Sequence, residues 1–358
     1  MVLTIYMHKD YSVAVEEDGS ILVQKGDWLS KYSAAIHNGD STKTNEFGRM
    51  KHGVVEKIKG KDIEEGETIY HIPTYRAALA KNPKMRAKAD AYKLINDYYV
   101  RRGQIAFKII SRYEVATGLR ERIANPGKIN QGRAGVCPAA SLVHILAKDR
   151  PDVYARLVID LYEKGVGRIG TWEIKPSSDL KNYTIPHRAI HPADWIPMAS
   201  IRDSENAFFD YQAIYRDWHK SVDWLRKAFW GGGASIDELK SWLKNAGYTK
   251  IEQWPGNQST RTNIKLASDF RGLSYKVILA VDAGVLYADW QTRQPIGRPN
   301  HVIVLTSRVT FQRIAGREHL SMSVFTWGEG ARRVPLVGRQ MPVDEFLKFY
   351  HGFVAAKF

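Results

Sequence analysis

A chain of 358 residues that is 44% hydrophobic and 11% aromatic, with 14 prolines, has the make-up of a globular protein of two or three domains, which excludes intrinsic disorder. Its single cysteine excludes an intramolecular disulfide and hence a disulfide-stapled secreted scaffold. A formal net charge of +15 favours acidic surroundings, yet the Lys and Arg residues are dispersed and show no zinc-finger spacing or helix-turn-helix signature, so no specific nucleic-acid partner is expected. No run approaches the roughly 20 apolar residues that span a bilayer, and the first ten residues lack a basic region followed by an apolar one. The expectation is synthesis in the cytoplasm without a signal peptide, and no transmembrane segment.

In chain order, Ile21-Leu22-Val23 reads as a short strand, Gly26-Asp27 as a turn and Trp28 to Tyr32 as the start of an amphipathic helix. Residues 63–73 return as a turn and a strand ended by Pro73. Thr74-Tyr75 and Asn82-Pro83 read as breaks, after which residues 87–95 and 104–123 carry helical spacing, stopped at Asn125-Pro126-Gly127. Further on, residues 152–162 and 207–229 are expected helices, and Gly231-Gly232-Gly233 is a break that lacks the Lys-Ser/Thr of a phosphate loop. Ser235-Ile236-Asp237-Glu238 fits a capping box opening a helix over 238–245. Residues 275–282, 300–307, 322–327 and 333–337 have strand character, and 343–349 closes as a helix. Helices first and β-structure later give an α+β class.

The segment Asn130-Gln131-Gly132-Arg133-Ala134-Gly135-Val136-Cys137-Pro138-Ala139-Ala140-Ser141 holds the one cysteine. Pro138 is preset to a helical φ and lacks an N–H, so it suits a first helical turn and puts Cys137 at the helix start. There the unpaired N–H groups and the helix dipole favour an anion, which predicts a thiol pKa below the ordinary value of about 8.5. Gln131 lies just upstream across flexible glycines. Its amide N–H and the Cys137 backbone N–H then suit an oxyanion hole for acyl transfer. His301 opens the apolar strand His301-Val302-Ile303-Val304-Leu305. His144 lies on the cysteine helix and is expected to pack on its buried side. The single Cys and scattered histidines form no convincing zinc constellation, so neither metal nor organic cofactor is expected.

These motifs resemble the papain-like cysteine peptidases. The pattern N-Q-G-x-x-G-x-C-x-A-x-S is met by Asn130, Gln131, Gly132, Gly135, Cys137, Ala139 and Ser141, and the histidine motif by Asn300-His301-Val302-Ile303-Val304. The resemblance implies a two-lobed fold, helical lobe plus β-rich lobe, with Cys137, His301 and Gln131 as catalytic residues. The family's N-S-W-G motif is half present as Phe325-Thr326-Trp327-Gly328, and Trp327 would shield the catalytic hydrogen bond. Phe325 replaces the asparagine that orients the imidazole and accepts no hydrogen bond. Thr326, Glu329 or a main-chain carbonyl are the open alternatives.

The stretch from Ile21 to Pro73 resembles a LysM domain, with Gly26-Asp27 at the first strand and Ile72-Pro73 at the close. That resemblance implies a small β-α-β module binding peptidoglycan or another glycan, or an adaptor in a phage-tail-like injection machine. The expected organisation is a LysM-like domain over 1–75, a helical linker or arm over 76–126, and a papain-like hydrolase over 127–358. The expected function is a bacterial cysteine hydrolase cleaving amide bonds, with peptidoglycan peptides as the favoured substrate. Export by a specialised secretion system would make it an effector or toxin, with a secretion apparatus and an immunity protein as further partners. The rivals are a protein-directed protease or deamidase, and a non-catalytic papain-like binding protein.

Overall fold

The computed structural model describes residues 3–8, 11–60, 62–132, 136–185, 190–205, 236–255, 260–287, 289–326, 331–334 and 340–358. The expected helix over 207–229, the three-glycine break and the Ser235 cap lie outside them. The chain forms two compact units, Met1–Val100 with Arg150–Asp152 and Arg101–Asp149 with Val153–Phe358.

In the first unit, β1 (Leu3–His8) and β2 (Tyr11–Glu16) make an antiparallel hairpin. Then come β3 (Ser20–Leu22), α1 (Leu29–Ile36), a 3-10 turn at Thr44–Glu46, β4 (Phe47–Lys51), β5 (Val54–Lys57) and β6 (Thr68–His71). These strands form an antiparallel sheet in the order β3-β6-β4-β5. The expected strand, helix and returning strand correspond to β3, α1 and β6, and the hairpin β4–β5 is added between the last two. Strand alternation sends Val13 and Val15 inward, where they meet Ile21, Leu29, Tyr32, Phe47 and Ile69 in one core. Gly19 at φ +83° turns the chain into β3, and a Cβ there would lie 2.7 Å from the Tyr75 backbone nitrogen.

The helices α2 (Ile72–Lys81) and α3 (Pro83–Val100) complete this unit. The expected break at Thr74-Tyr75 is a correction. Pro73 does not merely end a strand but sits in the first turn of α2, where its missing N–H costs nothing. Along α3, Ala87, Ala91, Ile95 and Tyr98 are buried at helical spacing and small residues allow close approach.

The second unit begins with α4 (Arg112–Ala124), whose Ser111 N–H donates to Glu114 Oε2 at 3.3 Å. The expected helix over 104–123 therefore starts later, because residues 104–111 are turn and loop. Next come α5 (Cys137–Asp149), α6 (Pro151–Lys164), the hairpin β7 (Gly167–Ile169) and β8 (Trp172–Ile174), α7 (Ser178–Lys181) and α8 (Pro192–Glu205). They are followed by α9 (Ile236–Asn245), β9 (Lys250–Pro255), α10 (Arg261–Gly272), β10 (Lys276–Val281) and β11 (His301–Leu305). The chain closes with β12 (Thr310–Ile314), β13 (Arg317–Phe325), β14 (Ala331–Val334), β15 (Met341–Pro342), α11 (Val343–Phe349) and β16 (Tyr350–Lys357).

The main sheet is antiparallel in the order β12-β13-β11-β10-β16-β9, with β14 and β15 also on β13. Its centre is apolar on both faces: β11 is buried at every position, and Val277, Leu279 and Val281 of β10 join Ile303, Leu305, Phe353 and Ala355 in the core. Helix α5 packs against β11 and against α8. From Pro138 to Ala147 every residue of α5 is buried, which makes it the central helix of the unit. Among the described residues no helix is long and apolar enough to cross a membrane. The class is α+β.

Candidate active site

Cys137 is the first residue of α5, as Pro138 predicts, and the first turn is closed by Ala140 N–H donating to Val136 O at 2.8 Å. Packing of α5 on β11 sets the helix that opens with Cys137 against the strand that opens with His301. Cys137 keeps part of its residue surface exposed, but its thiol is enclosed by surrounding atoms.

His301 opens β11 opposite Val281 of β10 and is only 5% exposed. Its position is braced from the preceding turn. The Asn300 N–H donates to Val281 O at 3.2 Å, and Asn300 Oδ1 accepts from the Ala283 N–H at 2.7 Å. Asp282 accepts from the backbone of Gly284 at 2.9 Å and of Ile296 at 2.7 Å, closing the long connection between the two strands.

Among the three orienting groups left open by the sequence, the described contact is with Thr326, whose Oγ1 lies 2.7 Å from His301 Nε2. Thr326 directly follows β13 and is 1% exposed, so this hydrogen bond is shielded from water. Phe325 serves another purpose: its ring stacks on His144 of α5 at 3.8 Å between centroids and 13° between planes. The neighbouring position thus offers the imidazole a hydroxyl oxygen. When Nε2 carries its proton toward Thr326, Nδ1 is the basic nitrogen of the ring. Trp327 and Glu329 lie outside the described residues.

His144 behaves as expected of a packed helix residue. It is buried, its Nδ1 lies 3.1 Å from Pro126 O, and burial holds its pKa down to about 4.

Gln131 is buried at 4% exposure, and its side-chain oxygen has no hydrogen-bond partner among the described residues. It follows a loop whose base is firmly held. Arg122 of α4 binds Asp194 of α8 in a buried bidentate pair at 3.0 and 2.7 Å, and Asp194 Oδ2 also accepts from the Asn130 N–H at 3.3 Å. Gly132 takes φ +55° and donates its N–H to Asn130 Oδ1 at 2.7 Å. Residues 133–135, between this loop and Val136, lie outside the described residues. The expected convergence of the Gln131 amide on the sulfur is therefore not among the described contacts, whereas Cys137 and the start of β11 are brought together.

Arg202 was not singled out by the sequence. It lies on α8, 7% exposed, with Nη1 3.3 Å from Glu238 Oε1 and its guanidinium 6.0 Å from the centre of the Trp242 ring. Its charge favours the thiolate of Cys137. No motif marks this residue, because its proximity depends on how α8 packs on α5. The one sequence signal is an arginine in a helix otherwise lined with buried residues, which needs a partner.

Electrostatics set the resting protonation. Burial pushes the Cys137 thiol up to about 11, against the lowering influence of the Val302 N–H, the Arg202 charge and its own N–H. Burial holds His301 down at about 3. The expectation of a thiol pKa below the free value is thus corrected: the helix start is present, but desolvation outweighs it. Moving a proton from a thiol at about 11 to an imidazole at about 3 costs about 11 kcal/mol. Burial thus favours the neutral thiol and the neutral imidazole at rest.

No protein-family model matches the chain, and no curated protein matches it. Among the described residues the group of side chains suited to a metal ion lies in the first unit, at His37, Glu46 and His71.

Proposed function

We propose that the chain is a papain-like cysteine hydrolase, with Cys137 as nucleophile and His301 as base. The observation that carries this reading is the packing of α5, which Cys137 opens, on β11, which His301 opens, together with the Thr326 hydroxyl 2.7 Å from His301 Nε2. In the proposed reaction the Cys137 sulfur attacks an amide carbonyl while its proton passes to Nδ1 of His301, so a free ion pair need not form first. The imidazolium then protonates the leaving amine, and water releases the acyl group. Gln131 and the Cys137 backbone N–H are the proposed oxyanion donors. Arg202 adds positive potential where negative charge develops.

The helical elements α4 to α8 beside the antiparallel sheet suit the two-lobed papain-like arrangement, and β3, α1 and β6 suit a LysM-like module. From that pairing we take peptidoglycan stem or cross-link peptides as the substrate and a secreted bacterial effector as the biological form. Digestion of purified sacculi, followed by mass spectrometry of released peptides, tests it. Wild type is expected to release amide-cleaved fragments and Cys137→Ala none, while equal release by both would remove Cys137 from the reaction.

One observation favours a second reading, a non-catalytic papain-like binding protein. Burial, which raises the thiol to about 11 and lowers the imidazole to about 3, favours the inert neutral form of each group. Binding to sacculi that is indifferent to Cys137→Ala, with no release by either protein, would favour it.

A further inference from the structure

Three residues far apart in sequence meet in the first unit. His37 caps the C-terminal end of α1, Glu46 ends the 3-10 turn Thr44–Glu46, and His71 ends β6. Glu46 Oε2 lies 3.1 Å from His37 Nε2 and 3.4 Å from His71 Nε2, and one donor atom from each residue lies within 4.8 Å of the other two. The His37 contact is not a hydrogen bond: at 3.1 Å its Nε2 is nonetheless a buried polar atom without a hydrogen-bond partner among the described residues. Two ring nitrogens thus converge on one carboxylate oxygen, and only one of them is placed to share a proton with it.

We propose that His37, Glu46 and His71 bind a first-row divalent metal ion, with Zn2+ as the favoured occupant. Two imidazoles and a carboxylate form a donor set suited to zinc. Bonds of about 2.0–2.1 Å to a tetrahedral ion place its ligand atoms about 3.3 Å apart, and an octahedral ion would bring them to about 2.9 Å. Of the observed spacings, 3.4 Å matches the tetrahedral value and 3.1 Å falls between the two.

The surroundings have the features of a metal-ligand shell. His71 Nδ1 lies 2.8 Å from Thr74 Oγ1, the kind of outer contact that fixes a ligating ring and turns its Nε2 toward the ion. The Phe47 ring, 5.6 Å from that of His71, covers it on the core side. Burial lowers the His71 pKa, which keeps the ring in its neutral, ligating form. Glu46 retains 31% side-chain exposure, so the site is reached from solvent and a water or external ligand can complete the shell. The ion would tie the end of α1 to β6 through the intervening turn. This inference does not depend on the proposed hydrolase activity.

The test is equilibrium dialysis of the chelator-treated full chain against Zn2+, with the metal counted by mass spectrometry and Co2+ used as a visible-absorbing substitute. One ion per chain is expected, with the intense Co2+ bands of a tetrahedral shell. His37→Gln and Glu46→Gln are each expected to weaken binding at least about tenfold, and Thr74→Val about 10–100-fold. Cys137→Ala is expected to bind as wild type, which separates this site from the thiol. No stoichiometric binding, or binding retained by both His37→Gln and Glu46→Gln, would overturn the proposal. These two positions decide the matter even where the more buried His71→Gln fails to fold.

Discussion

Replacing Thr326 by Val removes the hydroxyl that meets His301 Nε2 at 2.7 Å while keeping nearly the same shape. Thr326 is 1% exposed, so water does not readily take over the bond. Taking one partner from a buried hydrogen bond costs about 1–3 kcal/mol. At about 2–4 °C per kcal/mol for a unit of this size, the melting temperature should fall by about 2–12 °C. A bond worth about 1 kcal/mol also biases the two neutral tautomers about fivefold, so the Val variant should shift His301 away from the Nε2–H form. Calorimetry reads the first effect and nitrogen-detected NMR of the imidazole reads the second. Thr326→Ser restores the hydroxyl and should recover most of both. A Val variant with unchanged melting temperature and unchanged tautomer would refute the orienting role.

Two further outcomes follow from the buried groups. Burial holds His301 at about 3 and His144 at about 4, below the value of about 6.5 in an unfolded chain. The unfolded state then binds more protons in that interval, so stability is full above about pH 6.5 and is lost as pH falls toward 3. The upper bounds are about 5 kcal/mol for His301 and about 3 kcal/mol for His144; urea midpoints measured from pH 7 to 4 should fall, less steeply in His144→Gln. Arg122→Met should cost about 3–5 kcal/mol by leaving the Asp194 carboxylate buried without its cation. The double variant Arg122→Met/Asp194→Leu should recover much of that loss in thermal unfolding, whereas a double variant no better than the single one would show that the pair contributes more than charge balance.

The local signals in the sequence were those that depend on neighbours along the chain. Pro138 after Cys137 located the start of α5, the apolar run after His301 located β11, and residues 343–349 matched α11. Signals that depend on the assembled sheet were not legible. Strand β16 is the clearest case: Tyr350–Lys357 carries Gly352 and two alanines, weak strand formers, yet it lies between β10 and β9 because both of its faces are covered. Thr326 stood among several orienting candidates until the end of β13 was set beside His301. Pro73 was ambiguous in principle, since a residue without an N–H suits a strand end and a first helical turn equally.

The thiol and the metal cluster show the same limit in different chemistry. A helix start predicts a lowered cysteine pKa, but the sequence does not carry the extent of desolvation, and here burial dominates. His37, Glu46 and His71 have no metal-motif spacing. They meet because the antiparallel pairing of β6 with β4 returns the chain to the end of α1.

Intact-mass kinetics of iodoacetamide alkylation across pH 5 to 10 on wild type and His301→Gln test the central claim most directly, because Cys137 is the only thiol to label. The account predicts slow labelling of wild type at pH 7, a midpoint above the free-thiol value of about 8.5, and still slower labelling near neutrality once the imidazole is gone. Profiles of the two proteins that superimpose at every pH would contradict it, because His301 would then have no part in the chemistry of Cys137.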